Sequence, residues 1–354
     1  MTDSSTAAPP GTEEVLEKHR FDVDALARSL EERVSGFTRP LTVRQFRGGQ
    51  SNPTYYLGTP SRAYVLRRKP PGKLLPSAHA VDREYRVITA LAGTGVPVPR
   101  TFTLCEDPGV IGTPFYVMEF VTGRVFIDTR LPDQSPEERA AIYAAQIDVL
   151  ARLHTVDWRA IGLSDFGRPG NYFARQIHRW TTQYRASETE RIDEMERLIE
   201  WMPANIPPGD ETTLVHGDFR LGNMLIHPTE PRVVAVLDWE LSTLGHPLAD
   251  LAYNCLPFRM SAETFDGFAG DHRPGIPSEE DYLATYCKLA GRAAIENWDF
   301  YIAFALFRLS AIAQGIMGRV VEGTANDPNA RARGARARPL AELAWTVLED
   351  AGAV

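Results

Sequence analysis

The residues best suited to chemistry lie in one short run, HGDFRLGN at 216–223. It holds a carboxylate, Asp218, followed five positions on by an amide, Asn223. This is the H-x-D-x-x-x-x-N spacing of phosphoryl transfer, in which the carboxylate receives the proton of an attacking hydroxyl and the amide oxygen helps to hold magnesium. A second carboxylate, Asp238, follows in VLDWE. The runs 224–227 and 233–237, joined by the turn PTEP, predict a hairpin that returns the chain to its starting end and makes Asn223 and Asp238 neighbours. An amide oxygen and a carboxylate at one hairpin mouth are hard ligands suited to Mg2+, which shares its sphere with water and nucleotide phosphates. Taken singly, Asp218, Asn223 and Asp238 read equally well as buried loop polar groups or helix caps; together, at this spacing, they point to one centre. His216 is assigned a supporting role through hydrogen bonds. Arg220, two residues past the base, is a candidate for charge stabilisation, and a plain surface arginine or a partner of Glu240 is the other reading.

Such residues need a scaffold, and the chain changes pattern along its length. Residues 1–20 read as a flexible tail. Val23, Leu26, Leu30 and Val34 then recur at helical spacing. Strands are predicted at 41–46, 53–58 and 62–68, separated by Gly, Pro, Ser and Asn, and again at 101–105 and 115–121. Between these two groups of strands a helix is expected over 79–91, with Val81, Tyr85, Ile88 and Leu91 on one face and Gly93, Gly95 and Pro97 marking its end. Beyond Gly123 the pattern is helical, over 135–154, 172–201, 279–290, 299–321 and 339–350.

The strand-rich part has candidates of its own. Gly48, Gly49, Gln50, Ser51 and Asn52 sit between predicted strands, where backbone amides could approach ATP phosphates; an ordinary hairpin turn is the competing reading. In YVLR, strand alternation puts Val65 and Arg67 on one face. Glu84 shares the helical face of Val81 and Ile88, where an ionised carboxylate needs a cationic partner, and Arg67 is the candidate. The alternative is an exposed Glu84 paired with Arg83 or Lys73.

HGDFRLGN, followed by LDWE and HPLADLAY, resembles the aminoglycoside phosphotransferase family, which shares the protein-kinase-like fold. GGQSNPTYYL and YVLRRKPPGKLLPSAHAVDREYRV narrow the resemblance to the kinase-like domain associated with acyl-CoA dehydrogenases. The resemblance implies a bilobal α+β fold: a small antiparallel-sheet nucleotide-binding lobe over 21–121 and a larger, mainly helical lobe over 122–354. It also implies ATP and Mg2+ as cofactors, Asp218 as base, and Asn223 and Asp238 as metal ligands. Asp250 would anchor the catalytic loop, and PFYVMEFVTG would be the hinge, with the Glu119 carbonyl and Val121 amide meeting adenine. Arg67 stands where such folds place the lysine of V-A-I-K, exchanging a point charge for a planar fork.

Composition narrows the field further. A length of 354 residues suits about two lobes, and 44% hydrophobic with 24% charged residues is ordinary for a globular chain. The polar start lacks the apolar run of a signal peptide. The apolar stretch 300–317 is interrupted by Arg308, Ser310 and Gln314, as a buried helix would be and a membrane span would not. Its aromatic residues have core spacing, and His154 reads as a packing or capping residue. Three scattered cysteines suggest a reducing compartment, hence a cytoplasmic location. A formal charge of −8 argues against nucleic acid as partner. RARGARARP reads as a basic connector or an anion site. No P-loop, G-x-S-x-G, HExxH or G-x-G-x-x-G motif occurs. The expected partner is a small-molecule hydroxyl acceptor, a hydroxyacyl-CoA or related metabolite ahead of an aminoglycoside. A nucleotide-binding scaffold that has lost transfer activity is the rival, with Arg67 its best support.

Overall fold

The alternating runs build one antiparallel sheet. In the computed structural model, which describes residues 9–47, 52–70, 80–262, 267–271, 273–325 and 327–354, its strands are Thr12–Glu13 (β1), Thr42–Phe46 (β2), Thr54–Gly58 (β3), Ala63–Arg68 (β4), Thr101–Cys105 (β5) and Phe115–Glu119 (β6). Their order is β1-β2-β3-β4-β6-β5. Tyr64 and Leu66 of β4 join a core with Tyr55, Leu57, Phe115, Val117 and the residues Leu26 and Leu30 of helix Val23–Arg33 (α1). Burying each such leucine contributes about 1.5–3 kcal/mol. The helix begins where the Asp22 carboxylate accepts from the Ala25 N–H at 2.8 Å. Val65 and Arg67 take the opposite face of β4 by alternation, and helix Val81–Leu91 (α2) packs on β5 and β6.

Two expectations for this part need correction. Residues 9–20 do not form a free tail. Thr12 and Glu13 pair with Phe46 and Gln45, Glu17–His19 makes a single 3-10 turn, and the Gln45 side chain accepts from the Leu16 N–H at 3.2 Å. The open edge of β2 needs backbone partners, and this segment supplies them. The boundary expected after residue 121 falls after Arg124, and Val234–Glu240 also belongs to the first of the two compact units. There the Val236 N–H donates to the Pro97 carbonyl at 2.9 Å.

The second unit, Val125–Val233 with Leu241–Val354, is mainly helical: Pro136–Thr155 (α3), Tyr172–Ser187 (α4), Asp193–Ala204 (α5), Pro247–Arg259 (α6), Glu279–Ala290 (α7), Trp298–Val321 (α8), Ala330–Gly334 (α9) and Ala337–Asp350 (α10). At its centre α8 buries Phe300, Ile302, Phe304, Leu306 and Phe307 and packs on α4, α6, α9 and α10. The single helix expected over 172–201 is two, α4 and α5. Between them Ser187 turns its hydroxyl back onto the Gln183 and Tyr184 carbonyls, while Gln314 of α8 donates to the Ser187 carbonyl and the Thr189 hydroxyl. Side-chain bonding of this kind competes with helix continuation. Helix α6 was not expected. It is buried from Pro247 to Ala252, so its sequence lacks an amphipathic period, although Pro247 at its first turn is a start signal.

Four short strands complete the elements of the described residues. Thr213–Val215 (β7) pairs antiparallel with Thr243–Gly245 (β10). Met224–Ile226 (β8) and Val233–Val236 (β9) form the predicted hairpin, closed by His227 N–H donating to the Arg232 carbonyl at 2.9 Å.

Candidate active site

The loop after β7 carries His216, Asp218, Arg220 and Asn223, and helix α6 holds it in place. Asp250 accepts from the backbone N–H groups of His216 and, at 2.7 Å, of Gly217, so the anchoring role expected for it is present. Burial opposes its ionisation, yet His154, His216 and the backbone donors outweigh burial and keep its carboxyl below the usual range. His154 lies buried with Nε2 3.6 Å from Asp250 and Nδ1 2.7 Å from the Tyr286 hydroxyl, which fits the packing role read for it. Gly217 has φ +84°, and a Cβ there would meet the Leu241 carbonyl oxygen at 2.7 Å. Only glycine suits both constraints.

Asp218 is held through both carboxylate oxygens. Oδ2 accepts from Asn223 Nδ2 at 2.7 Å and from Arg220 Nε at 3.2 Å, and Oδ1 accepts from the Tyr253 hydroxyl at 2.5 Å. Its side chain stays 21% exposed, so one sector remains open to solvent. Asn223 Nδ2 also donates to the Asp218 carbonyl at 2.9 Å. With the amide nitrogen so committed, the Asn223 oxygen is the atom left to act as a ligand. His216 Nδ1 accepts from the Asp218 N–H at 3.2 Å, a supporting contact of the expected kind.

In the first unit Arg67 reaches two carboxylates. Its Nη1 lies 2.9 Å from Glu84 Oε1, and its Nη2 donates to Asp238 Oδ1 at 3.1 Å. Glu84 is 1% exposed on the inner face of α2, so it pairs with Arg67 and is not the exposed carboxylate of the competing reading, whose candidate partner Lys73 lies outside the described residues. Neither Glu84 oxygen has a well-aligned hydrogen bond. Burial, reinforced by Asp238 and Glu240, therefore pushes its carboxyl up to about 7 against the pull of Arg67. The next residue, Arg68, points to the other face and bonds the Tyr55 hydroxyl and the His19 and Ile111 carbonyls. Asp238 has φ +65°, an uncommon backbone state for a residue with a side chain.

Of the remaining candidates, Asn52 is buried and its carbonyl accepts from Thr54 Oγ1. Gly48, Gly49, Gln50 and Ser51 lie outside the described residues. Glu119 ends β6, its N–H bonded to the Arg100 carbonyl at 2.7 Å, and Val121 follows just past the strand. The second unit thus gathers His216, Asp218, Arg220 and Asn223, and the first gathers Arg67, Glu84 and Asp238. Among the described residues no group of three or more His, Cys, Asp or Glu could hold a metal ion. The Asn223 amide oxygen and the Asp238 carboxylate are each, in donor chemistry, ligands of the hard oxygen kind that Mg2+ takes. Tyr253, Asn254 and Arg308 were not singled out from the sequence for this site. Asn254 donates to the Phe219 carbonyl at 3.2 Å, and Arg308 to the Gly217 carbonyl at 2.6 Å. The signal available for Tyr253 and Asn254 was their spacing, three and four residues past Asp250 on one helix.

A carboxylate clamped on a short loop, an amide side chain bonded to it, and an antiparallel sheet with a buried Arg–Glu pair fit a kinase-like phosphotransferase of bilobal α+β fold, the class that uses an alcohol as acceptor. The chain belongs to the phosphotransferase enzyme family, whose sequence profile matches residues 42–297. It is 48% identical over 341 residues to acyl-CoA dehydrogenase family member 10 of Mus musculus, covering 95% of this chain and 32% of that protein. Against acyl-CoA dehydrogenase family member 11 of Homo sapiens the identity is 43% over 337 residues, covering 93% and 43%. The chain thus spans a third to under a half of these relatives. A solved structure from Ralstonia eutropha, provisionally named an aminoglycoside phosphotransferase, matches at 52% identity and TM-score 0.87, covering 94% of this chain and 99% of that one. An aminoglycoside phosphotransferase in ternary complex with AMP-PNP and hygromycin B shares the fold at 16% identity and TM-score 0.60, covering 91% and 98%.

Proposed function

We propose that the chain transfers the γ-phosphoryl group of ATP to the hydroxyl of a small metabolite. The observation that carries this reading is Asp218, a carboxylate fixed by Tyr253, Asn223 and Arg220 and still open to solvent. The acceptor oxygen bonds to phosphorus as the bond from phosphorus to the ADP oxygen breaks, and the hydroxyl proton passes to Asp218. Bound Mg2+ would neutralise the phosphates, with Asn223 and Asp238 as its protein ligands. Arg67 would supply charge to the phosphates. The Glu119 carbonyl and Val121 N–H would meet adenine.

For the acceptor, a hydroxyacyl-CoA or related anionic metabolite is favoured over a polycationic aminoglycoside. Beside Asp218, the charges that bear on Tyr253 are those of Arg308 and Arg220. Two exposed aliphatic residues flank the same loop: Ile127, 70% exposed and next to Gly222, and Leu241, 47% exposed and against Gly217. Cations and apolar surface suit an anion with a carbon chain, whereas a polycation calls for carboxylates. The rival reading, a nucleotide-binding protein without transfer activity, is favoured by one observation: Arg67 occupies Asp238, a proposed metal ligand.

Incubation of the purified chain with MgATP and a panel of hydroxyacyl-CoA esters, simple hydroxy acids and aminoglycosides tests this. A phosphorylated product is expected from the first group, and Asp218→Ala should cut turnover at least ~100-fold. If the folded protein binds ATP and phosphorylates nothing in the panel, the binding-protein reading replaces this one.

A further inference from the structure

Helix α6 presents three side chains to the catalytic loop from one face. Asp250 takes the N–H groups of His216 and Gly217. One turn later Tyr253 takes the Asp218 carboxylate, and Asn254 the Phe219 carbonyl. Positions i, i+3 and i+4 of a helix lie together, so consecutive loop residues from 216 to 219 are held by one rigid element. Asp250 and Asn254 touch only the backbone of the loop in these contacts. Tyr253 alone of the three reaches the side chain that would do chemistry.

Tyr253 is also braced. The Arg308 guanidinium lies 5.6 Å from the centre of its ring and 5.7 Å from that of Trp180 on α4, and it donates to the Gly217 carbonyl. The same cation therefore ties the tyrosine ring to the loop that the tyrosine hydroxyl grips. A carboxylate can accept about four hydrogen bonds. Asn223 and Arg220 fill the two positions on Oδ2 and Tyr253 fills one on Oδ1, which leaves one, on Oδ1, for an incoming hydroxyl.

We propose that Tyr253 is a positioning residue for the transfer reaction, its hydroxyl fixing the rotation of the Asp218 carboxylate so that the remaining lone pair faces the acceptor. Without it Asp218 keeps only the Asn223 and Arg220 contacts, both on Oδ2, and Oδ1 is free to swing. This rests on Asp218 acting as the base.

The acceptor need not be known for the test, because water can stand in for it: the full chain is given MgATP alone and phosphate release is followed, together with thermal melting with and without MgATP. Tyr253→Phe keeps the ring and removes the hydroxyl. Its kcat for hydrolysis is expected to fall about 10- to 100-fold, the value of a hydrogen bond to a charged group, while KM for ATP and the ATP-induced rise in melting temperature stay as in the wild type. A kcat that is unchanged or that rises overturns the proposal, a rise meaning that the hydroxyl plugs the base. A parallel loss of kcat and nucleotide binding also overturns it, since a structural role would produce that. Should the Phe variant fail to fold, 3-fluorotyrosine at position 253 keeps size and hydroxyl while making the donor stronger. It should slow hydrolysis by weakening the base, and unaltered kcat again defeats the idea. A wild-type chain that neither hydrolyses ATP nor is stabilised by it removes the phosphoryl-transfer reading and this inference together, whereas a wild type that turns over beside an unimpaired variant removes this inference alone.

Discussion

At the scale of single residues, the exchange of lysine for arginine at position 67 has a structural consequence. A guanidinium fork touches Glu84 with one nitrogen and Asp238 with another, which an ammonium point charge does less well. Arg67→Lys is expected to cost about 1–3 kcal/mol of stability, the value of a charge-assisted hydrogen bond, measured by urea unfolding. A variant as stable as the wild type would mean that the second arm contributes nothing. Glu84 gives a pH prediction. Its folded carboxyl titrates at about 7, against about 4.3 in an unfolded chain. Between those values the folded state binds a proton that the unfolded state does not, so stability due to this group is present at low pH and is lost as pH rises through 7. The melting temperature of the wild type should therefore fall relative to that of Glu84→Gln, which keeps the neutral form, as pH rises from 5 to 8, and a constant difference would show that Glu84 is ionised throughout.

At the scale of elements, what could be read in the sequence was what has a period or a fixed spacing. The strands β2 to β6 and helices α1, α2, α3, α7, α8 and α10 follow alternation or a 3.6-residue repeat and appear where expected, within a residue or two at most ends. So does the Arg67–Glu84 pair, because β alternation and a helical face each give a direction. The reading failed where tertiary partners decide. Nothing local announces that Gln314 will hold the chain open between α4 and α5, that residues 12–13 will cover the edge of β2, or that α6 will be buried on most sides. Missing α6 meant missing Tyr253 and Asn254, whose meaning comes only from sharing a helical face with Asp250. The strand-to-loop junction at Gly217 is a second place where an element sets the site. Its φ of +84° and the 2.7 Å approach of the Leu241 carbonyl to a Cβ position leave alanine strained and crowded. Gly217→Ala should lose about 1–3 kcal/mol of stability and most turnover, since the backbone N–H groups held by Asp250 would shift. Calorimetry and phosphate release measured on one preparation check both, and a variant with wild-type melting would refute the strain.

At the scale of the whole molecule, one helix could be mistaken for an anchor. Among the described residues α8, Trp298–Val321, is long and apolar enough to cross a membrane. Three polar residues in its middle argue otherwise, because they are spent on the interior of their own unit: Arg308 on the Gly217 carbonyl, Ser310 on the Ala337 carbonyl, and Gln314 on Ser187 and Thr189. Its aromatic side chains pack on Phe173 of α4 and Trp201 of α5. Inserting α8 into lipid would strip Arg308 of its carbonyl partner and of the Tyr253 and Trp180 rings, and would carry a cation into hydrocarbon at a cost of at least about 2.5–3.5 kcal/mol. It would also take away the brace proposed for the base, so membrane insertion and an ordered transfer site exclude each other. The folded chain should therefore remain at the bottom of a density gradient when mixed with phosphatidylcholine vesicles, and with vesicles containing phosphatidylserine, whose negative surface the formal charge of −8 opposes. Flotation with neutral vesicles, by a preparation that still melts cooperatively, would show that α8 or another apolar surface is available to lipid and would place the protein at a membrane.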